Sequence, residues 1–543
     1  MLEFPPEPGA EGYLIEVKDA NTKQVVYSQT DKSNAHFVSV LSWGKSYAWR
    51  YAVVDKTNQP VKWFEEHHFS IQSSQYVSED SFRVRVFSKT NETASDGLIM
   101  LDYARVAINR MGKPVWFLPE VKGEFEKNMR VRDLRLTKYG TVTFLTDKNA
   151  YEVDMDGNIL WKTPPLNFTN YDAAEVFHHD FKKLDNGNYM VLCTKMIQRP
   201  VPASFDLKLL QGKPGVTIKD GVAYANIKFG MIMEYDKQGK IVWSWSSETY
   251  LTDKDLFSHK NDDGTPDFST HLNAFSSDNT GRYIYAGFRD LSRVIKIDKT
   301  TGKVVYSWGE KMPSGEAADG DGFFRSQHDA QGMPGGDVGV FNNGSARDSV
   351  SSIVVFTEPS EGGKSQIKWQ YNCDIDDMVD KKSTKMGNID ILPESHIFCC
   401  MGAVNRLFEV TLSKLVVWSA LVENSVDGKI WTAFPQYRAH FAKSFYPYYF
   451  TASTNKNELK GKGFLKITVN NDGTEPDKYR VEITTKQGTY DLQSTSPVLS
   501  PGQSHQFNIL PVKAPVNEEV VTINIYSDTN RAISRQVIFK SVP

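Results

Sequence analysis

Four cysteines in 543 residues, Cys193, Cys373, Cys399 and Cys400, are too few for a disulfide framework. Cys399 and Cys400 are adjacent in an apparent strand and point to opposite faces, which reads as buried thiols; a pairing of Cys373 with one of them stays open. No apolar run reaches the roughly 18 residues of a membrane-spanning helix, so no transmembrane segment is predicted. Basic runs are missing too, and with a net charge of −3 nucleic acid is excluded as a partner. The start, Met-Leu-Glu-Phe-Pro-Pro-Glu, has neither a basic head nor an apolar middle, so a signal peptide is expected to be absent or already removed. Aromatics, by contrast, are plentiful: 24 Tyr, 31 Phe and 11 Trp favour β structure. The length asks for two or three domains.

Residues 12 to about 75 hold short alternating segments, GYLIEV, VVYSQT, HFVSVL and SYAWRYAVVD, separated by polar turns. They predict a small β-sandwich of fibronectin type III character over 1–90. From about 455 the same texture returns in FLKITVNNDG, YRVEITTKQG, HQFNIL, VVTINIYSD and SRQVIFKS, predicting an Ig-like sandwich over 453–543. Neither end groups titratable residues into a motif with chemistry.

The middle, 91–452, repeats. An apolar strand, a tight turn and a second strand ending in an aromatic recur as VAINRMGKPVW (106–116), YEVDMDGNILW (151–161), MEYDKQGKIVW (233–243), VIKIDKTTGKVVYSW (294–308) and LFEVTLSKLVVW (407–418), with SQIKWQY (365–371) as a degenerate sixth. A second unit precedes most of them: VRDLRLTKYGTVTFL, HHDFKKLDNGNYMVL, HLNAFSSDNTGRYIYAGF, QHDAQGMPGGDVGVF and GNIDILPESHIFCCMG. Asp-Gly turns suit hairpins, and a period of roughly 40 to 60 residues suits four-stranded blades. The expectation is an all-β chain whose centre is a six-bladed β-propeller. Its last blade joins YRAHFAKSFYPYYF (437–450) to the strands near 97–116, leaving no free sheet edge.

Phase within this repeat points to a site. His178 and His179, His271 and His328 each open the first, innermost strand of a blade, so they should meet at one mouth of the central channel. Strand alternation sends Asn273 the same way as His271, and Arg289 ends the second strand of that blade and returns beside it. Arg438 and His440, in the closing segment, either reach this site or seal the last blade to the first. His396 lies in a turn and is expected to be exposed; His36, His67, His68, His259 and His505 read as ordinary surface or core residues. Imidazoles supply a nucleophile and a proton shuttle, while Arg and Asn donate to negative oxygens, which fits transfer of a sulfuryl or phosphoryl group.

At these residues the chain resembles the bacterial aryl-sulfate sulfotransferases that work without the nucleotide donor PAPS. The resemblance spans roughly 90–450 and rests on HHDFKKLDNGNYMVL, HLNAFSSDNTGRYIYAGFRDLSRVIKID, QHDAQG and YRAHFAKSFYP. It implies that His328 is the nucleophile, transiently sulfated in a ping-pong exchange, and that His271, Asn273 and Arg289 hold the sulfuryl oxygens. His179 would protonate the leaving phenolate or deprotonate the acceptor phenol. Apart from the resemblance, His178, Arg438 and His440 are expected as substrate-binding residues. The substrates implied are a phenolic sulfate ester and a phenolic acceptor, with no cofactor, in a periplasmic or secreted protein for which a homodimer is allowed. The doubled His178-His179 leaves open which ring faces the channel. The C-terminal sandwich is not something the family needs.

Two other readings compete. One is a non-catalytic propeller that binds glycan or protein. The other is a metal-dependent hydrolase or lactonase, with three histidines and Asp180 or Asp329 as ligands; Arg289 counts against it, because a guanidinium repels a cation and stabilises sulfate. The acidic loops NDDGTPD (261–267) and DGDG (319–322) lack the spacing of an EF-hand and read as solvated turns.

Overall fold

The computed structural model describes residues 1–543 except 79, 88–93, 122, 125–128, 211–214, 259–267, 317, 334, 347, 360–362, 376, 377, 379, 393, 394 and 462. The fold is all-β, and among the described residues the single α-helix is the short Asp253–Ser258. Two compact units form. One gathers 1–79, 138–140 and 443–543; the other holds 80–137 and 141–442.

In the second unit six antiparallel sheets follow one another, each led by a short strand: β1 Arg132–Leu136, β2 Phe177–Lys183, β3 Leu272–Ser277, β4 His328–Gly332, β5 Asn388–Ile391 and β6 Ala439–Ala442. The repeated segments pair as the turn chemistry predicts. At the Asp-Gly turn between Ala150–Val153 and Ile159–Lys162, Gly157 takes φ 85°, open at little cost only to glycine. β6 pairs with Leu98–Leu101, which continues into Val106–Asn109 and Pro114–Phe117, so the far ends of this unit share one sheet. Phe82–Phe87 adds to the edge of the sheet led by β5, pairing with Val416–Ser425. Each leading strand lies against the next, and β6 returns to β1.

The aromatic that ends each repeat has a mechanical role. The indole N–H of Trp116 donates to the Met155 carbonyl at 3.2 Å, Trp243 to Lys299 at 2.9 Å, Trp369 to Leu412 at 2.8 Å and Trp418 to Arg110 at 2.8 Å. Trp308 donates to the Ser365 hydroxyl at 2.7 Å, and Trp161 stacks on Tyr189 with centroids 4.0 Å apart. Every sheet thus grips its successor through an outer-strand tryptophan, the last gripping the first.

The inner strands are joined differently. Pairing of β1, β2, β3 and β4 with their second strands slips in register, and the residues at the slips include Asp133, His179 and Asp329 with φ of 55°, 62° and 54°. Such bulges turn side chains off the alternating pattern. Carboxylates released in this way accept backbone N–H groups of the neighbouring strand: Asp133 from Phe181 at 2.9 Å, Asp180 from Phe275 at 3.1 Å and Asp329 from Ile389 at 2.8 Å. Asp390 accepts from Phe441 at 2.7 Å, and Asp102 from Asp133 at 3.1 Å.

The other unit holds three larger sheets. Gly12–Asp19 lies between Val25–Asp31 and Ser46–Val54 in one. The remaining two are built on Leu465–Asn471 with Ser504–Lys513 and on Glu519–Ser527 with Ser534–Val542, and they share a core that includes Ile467, Phe507, Ile523 and Phe539.

Candidate active site

The heads of β2 and β3 bring their histidines together. The His179 and His271 ring centroids are 5.2 Å apart, and His178 and His179 touch, Nδ1 to Nδ1, at 2.7 Å. In an unbroken strand the last two rings would face opposite ways; the bulge at His179 lets both turn to the same side. With Thr194, Asp172 and Lys228 they line a cavity of about 100 Å³. A larger cavity, about 480 Å³, lies among Lys182, Asp185, Asn186, Asp278 and Asn279 and contains no histidine.

His328 is buried at the head of β4 and held from both sides. Its Nδ1 lies 2.7 Å from Asn343 Oδ1, and the Asn343 amide donates to the Ser383 and Met386 carbonyls at 2.8 and 3.0 Å. That oxygen is therefore an acceptor, Nδ1 carries the proton, and Nε2 keeps its lone pair. The Met386 N–H donates to this Nε2 at 3.2 Å. Burial, reinforced by His271 and Arg289, lowers the His328 pKa to about 3, so the ring is neutral at physiological pH. Burial and then His271 likewise bring His178 to about 3, and burial with His178 and His271 holds His179 well below its ordinary value.

Arg289 returns to the site as its place at the end of a strand suggests, its N–H donating to the His271 carbonyl at 3.0 Å. The guanidinium bonds Asp290 at 2.5 Å, while its buried Nε has no partner among the described residues, leaving a donor to spare. Asp290 also takes the Nδ1 proton of His271 at 2.7 Å. Burial opposes its ionisation, yet His271 and Arg289 hold its pKa far below the ordinary carboxylate value.

The remaining expected contacts lie elsewhere. Asn273 is fully buried, and its amide donates to the Gln327 carbonyl at 2.8 Å, where neighbouring strands use a carboxylate. The slip between Leu272 and Ala274 breaks the alternation that would have turned it toward His271. Arg438 is fully buried too, donating to Asp133 at 3.0 Å and to the Asn273 carbonyl at 3.0 Å, with Asp180 at 3.2 Å. His440 bridges Asp133 and Asp390 at 3.0 and 3.1 Å; burial and Arg135 oppose its charge, but these carboxylates raise its pKa. Both residues seal inner strands together, since five clustered carboxylates need cations among them. His396 is not exposed but half-buried against Glu409 at 2.6 Å.

Asn343, Asp290, Thr194 and Met386 are the residues sequence reading missed. Thr194 meets His178 Nε2 at 2.9 Å. With Asp290 and Asn343 it occupies the same place in the repeat, at or just beyond the part of the second strand opposite the histidine, a phase that could have revealed all three. All four cysteines are buried free thiols. Among the described residues no group of three or more His, Cys, Asp or Glu is arranged to hold a metal ion. His259 and the acidic loop 261–267 lie outside the described residues, and Asp319 of the other loop accepts from the Tyr306 hydroxyl at 2.9 Å.

Residues 214–378, which include His271, Arg289 and His328, match the model of the arylsulfotransferase (ASST) family. This stretch of the chain is therefore similar to the arylsulfotransferases. No curated protein matches the sequence. Among solved structures, a protein of unknown function from Bacteroides caccae is 15% identical, covering 64% of this chain and 98% of its own, with a TM-score of 0.38. A streptogramin B lyase structure is 11% identical over 67% and 98%, TM-score 0.33. A catalytically inactive virginiamycin B lyase from Staphylococcus aureus, with quinupristin, is 10% identical over 79% and 99%, TM-score 0.29. Similarity at this level identifies neither substrate nor chemistry. No helix among the described residues is long and apolar enough to cross a membrane.

Proposed function

We propose that this chain moves a sulfuryl group from a phenolic sulfate ester to a phenolic acceptor through a sulfated His328, on a six-bladed β-propeller flanked by two β-sandwiches. The carrying observation is the fixed tautomer of His328: Asn343 claims the Nδ1 proton, so Nε2 keeps its lone pair, on a ring that His271 and Arg289 influence electrostatically. In the first half-reaction Nε2 attacks sulfur as the ester S–O bond breaks, and His179 gives its Nε2 proton to the departing phenolate. Arg289 Nε and, once His271 carries a second proton opposite the Asp290 carboxylate, the His271 Nε2–H hold the sulfuryl oxygens. The Met386 N–H, released when Nε2 bonds sulfur, donates to a third oxygen. The second half-reaction reverses these steps: His179 takes the acceptor's proton, the new S–O bond forms and the N–S bond breaks. The family match supports aryl sulfotransfer in general, and a periplasmic or secreted location is part of this reading.

Incubation with 4-nitrophenyl [35S]sulfate, an acid-labile and base-stable adduct being the signature, tests the mechanism. Label is expected on the intact protein, discharged by phenol and missing in His328→Ala. Release of nitrophenol by that variant at the wild-type rate would refute it.

A further inference from the structure

The paired imidazoles of His178 and His179 set a condition that the reaction alone does not. Two ring nitrogens 2.7 Å apart hold one proton between them: two would clash and none would leave lone pairs opposed. When the shared proton rests on His178, His179 accepts at Nδ1 and a neutral His179 must present Nε2–H. When it rests on His179, Nε2 is bare, and His178 points its own Nε2–H at the Thr194 hydroxyl, 2.9 Å away. The chain Thr194–His178–His179 therefore couples the position of one internal proton to whether His179 is an acid or a base.

We propose that His178 is a positioning residue that switches His179 between proton donor and proton acceptor, so that one imidazole serves both half-reactions. This rests on the sulfo-histidine reading. With a negative sulfate ester bound, the pair carries one extra proton: both outer nitrogens are protonated and one proton is shared. His179 Nε2–H passes to the phenolate oxygen as the S–O bond breaks, and the pair is left neutral with the shared proton on His179 and Nε2 bare. The acceptor phenol then returns a proton to Nε2 as its oxygen bonds sulfur, restoring the starting count. Neighbouring groups frame this exchange: His271 and Arg132 disfavour the extra proton, and Asp172 favours it.

Leaving-group dependence separates this role from simple packing. Nitrophenolate is stable enough to depart unprotonated, whereas phenolate is not. In the full-length enzyme, His178→Leu is expected to lower kcat/KM with phenyl sulfate by about 100-fold but with 4-nitrophenyl sulfate by less than about 5-fold. His178→Gln, whose carbonyl can still accept the His179 Nδ1 proton, should recover at least about tenfold of that loss. Thr194→Val, close in shape, should lower the phenyl sulfate rate several-fold more than the nitrophenyl rate, deciding the matter even if the leucine variant does not fold. Equal losses on both esters, or glutamine no better than leucine, overturn the proposal. Labelling distinguishes the two failures: if wild-type His328 takes no label, the sulfo-histidine reading falls; if it does and the losses are equal, only the role of His178 falls.

Discussion

Asn343 stands behind His328 as an amide whose direction is fixed by two carbonyls, and this is what keeps Nε2 free of a proton. Replacing it by Leu frees the ring to change tautomer; kcat/KM for 4-nitrophenyl sulfate is expected to drop roughly 10- to 100-fold while KM changes little, in keeping with the worth of groups that orient a reacting imidazole. Burial also reshapes the pH response. A histidine in the unfolded chain titrates near ~6.5, whereas His328 and His178 titrate at about 3 in the native fold. Between those values the unfolded state binds more protons, so stability is complete above ~6.5 and is lost as pH falls toward 3. The loss should be on the order of a few kcal/mol per ring, measurable by denaturant titration at pH 7 and pH 4.5. The acid limb of kcat/KM, which unperturbed histidines would place near neutrality, should lie well below it. A midpoint near ~6.5 would mean that the nucleophile is not a buried imidazole.

At the level of strands, the inner bulges account for most of what could and could not be read in advance. Hairpin turns and terminal tryptophans declare themselves in residue order, so the repeats, their pairing and the union of 437–450 with the early strands were legible. A bulge is one added residue with no compositional mark. It turned Asn273 away from His271 and brought His178 and His179 onto one side, and neither outcome follows from strict alternation. Arg438 and His440 misled for a related reason: their carboxylate partners sit at slips in other strands, distant in the chain. Arg438→Met takes from Asp133 and Asp180 the buried guanidinium they share, leaving Arg135 as the remaining one, and should destabilise the unit by about 3 kcal/mol. Trp418→Phe keeps an aromatic ring under the Arg110 guanidinium but removes the bond to the Arg110 carbonyl and should cost less, about 1–2 kcal/mol. Melts of both variants check the contrast. Gly387, at φ 108° and with Cys400 O 2.7 Å from where a Cβ would stand, fixes the backbone beside Met386. Gly387→Ala should therefore slow turnover through displacement of the N–H that meets His328.

For the whole chain, two compact units with separate cores imply two thermal transitions. Calorimetry of the Arg438→Met protein should show one transition lowered and the other unmoved; a single cooperative peak that shifts as a whole would contradict this. Every proposed catalytic group belongs to the unit spanning 80–137 and 141–442. That unit is completed only when Ala439–Ala442 finds Leu98–Leu101. On the ribosome, a nascent polypeptide halted beyond Asn343 but short of Arg438 already contains His328, Asn343 and Arg289 but lacks the arginine that unites three of its sheets. Sulfuryl transfer should accordingly switch on late in synthesis, as an attribute of the finished circle rather than of any growing arc.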